Sequence, residues 1–156
     1  MKCSVGFQIL IFRFTSNSRY IAAMSDINQL VDDFEFLTDW EDRYRHLIEL
    51  GKQLEPLTPE EHSDTNKVMG CMSQVWMVAA HNPDGRYVFR ADSDAHIVKG
   101  LIAILLLAYS NRTAEEIRAV DIDGLFGKLG LHEHLSPNRR NGFFSMVAKI
   151  KALSAL

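Results

Sequence analysis

The fold of this chain is decided by residues 75–91, VWMVAAHNPDGRYVFRA. Val75–Ala80 is rich in residues that favour β-strands and is too short for a typical helix, and Tyr87–Ala91 has the same character. Between these two runs, residues 82–85 (NPDG) are a strong turn signal. We therefore predict a β-hairpin in which this turn joins two antiparallel strands.

Two helices are predicted before the hairpin. Apolar residues recur at three- and four-residue steps from Ile27 to Leu37, and Ser25 or Asp26 is placed to cap that helix. Asp39 is placed to cap a second amphipathic helix. The proline-containing stretch that follows, residues 55–67, is predicted to be a loop or a short helical turn.

Further helices are predicted after the hairpin. His96–Tyr109 is almost entirely apolar at its centre, as is typical of a buried helix, and residues 92–94 (DSD) are placed to cap it. Thr113 and Glu116 have the spacing of a capping box, and Ser136, followed by a proline, starts the last helix. The order of elements predicts an α+β fold, in which a small antiparallel sheet packs on a layer of helices around the central apolar helix.

Composition and charge limit the classes of function. The 156 residues fit one domain, and their net charge of −3 offers no basic surface for phosphates, so we expect no nucleic-acid partner. The longest strongly apolar run, Leu101–Ala108, is far shorter than the roughly 20 residues of a membrane helix, so we expect no membrane association. The two cysteines, Cys3 and Cys71, cannot build a disulfide framework, which favours a reducing cytoplasm.

Residues 1–23 are predicted to be an extension outside the folded domain, which then spans residues 24–156. A charged start and the apolar run Val5–Phe14 loosely resemble a signal peptide. Arg13 and Arg19 interrupt that pattern, so we favour an extension from a translation start placed too far upstream over an export signal.

Cys71 is the candidate reactive group. It follows a glycine between the polar loop and the first predicted strand, where a side chain can be exposed while the sheet holds the backbone. A thiol at such a position is a nucleophile if positive charge or N–H donors lower its pKa. The alternative interpretation is a small buried hydrophobic residue, as lone cysteines very often are.

Two further motifs have both a chemical and a structural interpretation. His132 and His134 would share one face of a strand as a metal pair, but no third ligand stands at a convincing spacing, which favours polar surface histidines. Arg139 and Arg140 are either an anion site at the start of the last helix or an ordinary solvated pair. From the residues alone, the prediction stops at an α+β domain with one plausibly reactive thiol.

Four segments of the sequence form a recognisable set. They are residues 44–54 (YRHLIELGKQL), 69–76 (MGCMSQVW), 92–101 (DSDAHIVKGL) and 134–142 (HLSPNRRNG). Together they resemble the SufE family, the sulfur acceptors for cysteine desulfurases in iron–sulfur cluster assembly. The segments occur in the family's order from about Leu30 to Ala152, which is far more specific than any one of them.

The resemblance implies a chemistry for Cys71. A desulfurase that uses pyridoxal phosphate removes sulfur from L-cysteine and holds it as a persulfide, and Cys71 as thiolate attacks the terminal sulfur. The implied partners are a SufS-like cysteine desulfurase as donor and a SufBCD-like scaffold as recipient. A homodimer is a further expectation left open, and no cofactor is expected on this chain.

The resemblance also implies roles for other residues. Arg139 is expected near the loop of Cys71, where it stabilises the thiolate or persulfide. Asp94 and His134 are predicted as partner-binding residues, with a plain helix cap as the alternative for Asp94. Position 72 is often glutamine in the family and is Met72 here, so the exposure around the thiol is expected to differ.

Two other functions stay open. A regulator that only binds a desulfurase, without carrying sulfur, would tolerate serine in place of Cys71. An independent thiol enzyme, such as a peroxidase or a cysteine hydrolase, would need a resolving cysteine or a His/Asn constellation, and the sequence offers no convincing one.

Overall fold

The computed structural model describes residues 27–155. The predictions for residues 1–23, and for a cap at Ser25 or Asp26, lie outside the described residues. The described chain forms seven α-helices and a two-stranded antiparallel sheet, which confirms the predicted α+β fold. In chain order the elements are α1 (Ile27–Phe36), α2 (Trp40–Lys52), β1 (Val75–His81), β2 (Tyr87–Ser93), α3 (His96–Tyr109), α4 (Ala114–Ala119), α5 (Ile122–Lys128), α6 (Leu131–His134) and α7 (Pro137–Ser154).

The hairpin forms where the sequence predicts it. Val75 lies opposite Ser93 at one end of the register and His81 opposite Tyr87 at the other. The turn closes on Gly85, whose φ of +85° suits a residue without a side chain. Strand β2 is buried along most of its length, because α3 packs on it from one side and the segment of residues 55–67 covers it from the other.

The side chain of Arg90 explains how a charged residue is buried in β2. Its guanidinium donates two hydrogen bonds to the carboxylate of Glu61, at 2.8 and 3.0 Å, and a third at 3.4 Å to the backbone carbonyl of Pro56. This paired geometry compensates for the lost hydration of the charge. The loop of residues 55–67 is thereby fastened to the sheet, and within it Asp64–Asn66 forms a single 3-10 turn.

Helix α3 is the central helix, as its apolar centre predicts. Nearly all of its residues are buried, and α2 crosses it at a point where two glycines face each other. A Cβ built on Gly51 would lie only 2.7 Å from the backbone nitrogen of Gly100. The two helix backbones therefore approach each other more closely than larger residues would allow.

The predicted side-chain caps are present at three helices. Asp39 accepts a hydrogen bond from the second residue of α2, and Thr113 and Glu116 form the predicted capping box at α4. Ser136 accepts a bond from the backbone N–H of Arg139 and so caps α7, with proline as its first residue. These local signals place the helix starts correctly because each cap depends only on residues within one turn.

The predicted cap of α3 by residues 92–94 is wrong. Its N-cap residue is Ala95, which offers no side-chain bond to the first turn. The carboxylate of Asp94 accepts instead from the backbone N–H of Gln74 at 3.0 Å. That N–H lies at the start of β1 and competes successfully with the helix for the carboxylate.

Candidate functional site

Cys71 lies in a loop of residues 69–74, hereafter the Cys71 loop. The residues at the two ends of this loop lie next to each other. The backbone N–H of Val68 donates to the carbonyl of Val75 at 2.8 Å. Lys67 and Trp76 form the next backbone bridge outward. The two ends of the loop are therefore held together as in a short antiparallel pair.

Gln74 is the last residue of the loop, and both its backbone carbonyl and its backbone N–H are hydrogen-bonded. Its carbonyl accepts from the buried hydroxyl of Ser93 at 2.8 Å and from the N–H of Asp94 at 3.3 Å. Its own N–H donates to the carboxylate of Asp94. Three hydrogen bonds thus fix the point at which the loop enters β1.

The tip of the loop rests on small residues of α7. Gly70 has a φ of +90°, and a Cβ built on it would lie 2.6 Å from the hydroxyl oxygen of Ser145. The Cys71 thiol donates to the carbonyl of Gly142, with a long separation of 3.5 Å between sulfur and oxygen. The tip therefore has close packing but, among the residues that the structure describes, only one weak polar contact.

A cavity of about 180 Å³ lies beside the thiol. Its apolar wall comes from α3 and α7, and its polar rim comes from the start of α7. The lining residues are Cys71, Met72, Ser73, Val98, Leu101, Ser136, Asn138, Arg139, Gly142, Phe143 and Met146. The sulfur thus faces a mixed pocket with room for a small group.

Burial raises the pKa of the Cys71 thiol above its ordinary value. The thiol is therefore protonated at neutral pH while it stays in the cavity, and the protonated form is a poor nucleophile. Arg139 lies on the rim with its side chain exposed and pairs with no carboxylate in the described part of the chain. This guanidinium is available to an anion at the mouth of the cavity.

The predicted site residues are placed differently from one another. Arg139 lines the cavity of Cys71, and Asp94 holds the end of the Cys71 loop without lining that cavity. His134 is exposed and stacks on Trp40, with ring centres 4.3 Å apart, and is not part of the cavity wall. The roles in partner binding predicted for Asp94 and His134 stay predictions.

Comparison with known proteins identifies the family. Residues 28–154 match the family model SufE, described as an Fe-S metabolism associated domain. This chain belongs to the SufE family. The family is associated with iron–sulfur metabolism, which gives the general area of function.

Two curated relatives carry the SufE name without a described activity. An uncharacterized SufE-like protein of Rhizobium etli is 52% identical over 131 residues, which cover 82% of this chain and 88% of the relative. Another, from Rhizobium meliloti, is 48% identical over 132 residues, covering 83% and 94%. A solution structure of a hypothetical protein from Thermus thermophilus matches with a TM-score of 0.67 at 21% identity, covering 83% of this chain and 93% of its own. That likeness supports the α+β fold.

In the structure of this SufE chain, the two histidines of residues 132–134 and the two arginines of residues 139–140 do not act as pairs. His132 and His134 lie on the short helix α6 and not on a strand, and the ring of His132 meets Phe126 edge to face. Within residues 27–155, no group of three or more His, Cys, Asp or Glu side chains is placed to hold a metal ion. The guanidinium of Arg140 donates to the carbonyl of His132 at 3.3 Å, so only Arg139 of the arginine pair faces the cavity.

Sequence reasoning missed the contacts made by Ser93 and Gly142 and the exposure of Met69. Ser93 was considered only as a helix cap, although its hydroxyl holds the end of the Cys71 loop. The carbonyl of Gly142 accepts the hydrogen bond of the Cys71 thiol, although the two residues are 71 positions apart. Met69, two residues before Cys71, is 80% exposed. The family segments of residues 69–76 and 134–142 contain the loop and its support, but no local pattern indicates that they touch.

None of the helices in the described part of the chain has both the length and the apolar character needed to span a membrane.

Proposed function

We propose that this SufE protein accepts sulfur from a cysteine desulfurase as a persulfide on Cys71 and passes it on for iron–sulfur cluster assembly. One observation carries the proposal: the thiol lies at the tip of a loop whose ends are fixed, and a cavity with room for a small group adjoins its sulfur. A carrier needs both a mobile reactive atom and a place to keep its cargo.

The transfer step balances without an oxidant or reductant. The Cys71 thiolate attacks the terminal sulfur of the donor persulfide, and a new S–S bond forms as the donor's S–S bond breaks. The donor cysteine leaves as a thiolate, and Cys71 carries the persulfide. The rate depends on the thiolate fraction of Cys71, on the leaving group and on access to the sulfur.

The resting geometry keeps Cys71 unreactive until a donor arrives. The pKa of its thiol is raised by burial, and within residues 27–155 its polar contact is the weak one to the carbonyl of Gly142. Movement of the tip out of the cavity ends the burial that raises this pKa and brings the sulfur to the surface. Arg139 at the rim is placed to attract the thiolate or persulfide anion.

After transfer, the loop returns the persulfide to the cavity. The outer sulfur is then surrounded by apolar side chains such as Val98, Leu101 and Phe143. These side chains exclude water and small reductants, which would otherwise release the sulfur as sulfide. Release to a SufBCD-like scaffold repeats the exchange, with Cys71 as the leaving thiolate.

Docking of the desulfurase is expected at the surface around the tip. Met69 and Met72 flank Cys71 and are 80% and 82% exposed, which is unusual for large apolar side chains. Flexible methionines adapt to an apolar partner surface. The presence of Met72, where the family often has glutamine, makes this surface more apolar.

Peptide-resolved mass spectrometry tests the proposal. The full chain is incubated with a SufS-like desulfurase and L-cysteine, alongside Cys71→Ser and Cys3→Ser. We expect one added sulfur on the Cys71 peptide of the wild type and of Cys3→Ser, and none on Cys71→Ser. Sulfur found on Cys3, or none on Cys71, would contradict the proposal.

A further inference from the structure

The ring of His62 is held by an acceptor at each nitrogen. Nδ1 lies 2.8 Å from the backbone carbonyl oxygen of Thr58, and Nε2 lies 3.0 Å from a carboxylate oxygen of Asp92. A carbonyl accepts hydrogen bonds and cannot donate them, and an ionised carboxylate is likewise only an acceptor. Both contacts are therefore hydrogen bonds only when both nitrogens carry a proton, that is, when His62 is an imidazolium.

Asp92 is ionised in this arrangement. Burial alone would raise its pKa, but hydrogen bonds from His62, from the N–H of Ser93 and from Lys99 outweigh that effect and lower it. The Lys99 ammonium lies 3.2 Å from the second carboxylate oxygen. Asp92 therefore offers no proton to His62 near neutral pH.

The other groups around His62 are also compatible with its protonated, charged form. Glu61 is its neighbour in sequence, and Arg90 neutralises that carboxylate. The ring of His62 also contacts the ring of Trp76 edge to face, with 4.7 Å between the ring centres. The pKa of His62 is raised, mainly by the hydrogen bond to Asp92 and next by the bond to the carbonyl of Thr58.

The position of this ring connects it to the Cys71 loop. Asp92 immediately precedes Ser93, whose hydroxyl holds the end of the loop at Gln74. Trp76 lies directly opposite Asp92 in the sheet and forms the backbone bridge with Lys67 that closes the loop. His62 thus joins the segment that leads into the loop to the strands that hold both of its ends.

We propose that His62 is a positioning residue for Cys71, and that its imidazolium form fastens residues 58–66 to β2 and steadies the base of the Cys71 loop. Loss of the proton leaves one nitrogen without hydrogen facing an acceptor oxygen. The two ends of the Cys71 loop are then held less firmly, and Cys71 leaves its cavity more often. This inference concerns the motion of the loop and does not depend on what the thiol carries.

The sign of the pH effect follows from the raised pKa. The stabilisation from the charged ring is fully present below the pKa of an unfolded histidine, about 6.5. It is lost as the pH rises through the higher value of the folded protein. Higher pH should therefore release the thiol in addition to ionising it.

The test uses the full chain in a Cys3→Ser background, so that Cys71 is its only thiol. The pKa of His62 is read by NMR of the ring, and the rate of Cys71 alkylation by iodoacetamide is measured from about pH 6 to 9 and divided by the thiolate fraction. His62→Gln supplies a neutral side chain and His62→Arg a permanent cation. His81→Gln, at the exposed end of β1, is the matched control.

We expect the rate per thiolate of the parent to rise several-fold as His62 loses its proton. His62→Gln should be fast and His62→Arg slow at every pH, and His81→Gln should follow the parent. A ring pKa at or below about 6.5 overturns the inference. So does a rate per thiolate in the parent that stays constant from about pH 6 to 9, and these two readouts decide even if a variant does not fold. No sulfur donor is present, so the result is independent of the proposed sulfur transfer.

Discussion

The α2–α3 crossing and the Cys71 loop both depend on glycine for a close approach, but they are held with very different strength. At the crossing, Gly51 and Gly100 bring two helix backbones together inside a buried core. In the loop, Gly70 and Gly142 bring the tip against α7, while the methionines on either side of the thiol stay exposed. One contact joins two helices in the core, and the other joins a helix to a loop with exposed side chains.

This difference separates stability from chemistry. At the crossing, a Cβ added to either glycine would lie within 3 Å of backbone atoms of the other helix, so added volume must push the helix backbones apart. The loop tip packs on α7 through Gly70 and adds one long sulfur contact, so we expect its loss to cost the fold little. Substitutions in the two regions should therefore affect different measurements. Four substitutions, in these regions and in the segments that contact the Cys71 loop, test this.

Gly100→Ala is expected to have the largest effect on stability. The new Cβ would lie 3.0 Å from the Cβ of Leu47 and closer still to the carbonyl of that residue. Overpacking against backbone should lower the free energy of unfolding by about 3 kcal/mol, measured by urea denaturation. Alkylation of Cys71 in the folded protein should not change. A loss below about 0.5 kcal/mol would mean that the crossing is less tightly packed than described.

Glu61→Gln tests the fastening of the segment that leads into the Cys71 loop. Arg90 would keep its buried charge without a carboxylate, and we expect a loss of about 2 kcal/mol at pH 7. Burial raises the pKa of Glu61, but the bonds from Arg90 and Thr58 outweigh it, so the pKa is lowered. The advantage of the wild type is therefore present above the unfolded value, about 4.3, and is lost as pH falls through the folded pKa. Urea curves that differ equally at pH 7 and at low pH would contradict this account.

Arg139→Ala should slow sulfur acceptance without changing stability. Arg139 lines the cavity of Cys71, and the variant removes the cation that we propose stabilises the thiolate there, so we expect about a tenfold lower rate. Arg140→Ala is the matched control, because that guanidinium is bound to the carbonyl of His132. Partial recovery in Arg139→Lys would support a role of charge. Equal losses in the Arg139 and Arg140 variants would argue against it.

Gly142→Ala should have the smallest effect, with the opposite sign to Gly100→Ala. The new Cβ would lie 3.5 Å from the sulfur of Cys71 and 3.8 Å from its Cα, which are ordinary contacts. Since alanine favours the helix interior, we expect a gain of about 0.5–1 kcal/mol in urea denaturation. A clear loss of stability would show that the loop tip is packed as rigidly as the core.

The parts of the fold that depend on neighbouring residues were predictable. The turn at residues 82–85 and the apolar run of α3 place the hairpin and the central helix, because each signal lies within the element it defines. The caps at Asp39, Thr113 and Ser136 are equally local. The cap predicted at residues 92–94 was wrong because a distant backbone N–H, that of Gln74, attracts the carboxylate of Asp94.

The candidate site was predictable only in part. Cys71 stands out by its position after Gly70, and Arg139 was predicted from the family resemblance. The contact of Cys71 with Gly142 and that of His62 with Asp92 span 71 and 30 positions, so no local pattern contains them. The cavity itself arises from side chains of two helices and the loop, and it exists only in the folded chain.

The turnover of a SufS-like desulfurase tests the central claim most directly. Wild type and Cys71→Ser are added at equal, saturating concentrations with L-cysteine, and alanine and sulfide production are measured. A carrier should stimulate turnover by draining the donor persulfide, and Cys71→Ser should give no stimulation. Equal stimulation by both proteins would show that this SufE protein regulates the desulfurase by binding alone, and that Cys71 does not carry its sulfur.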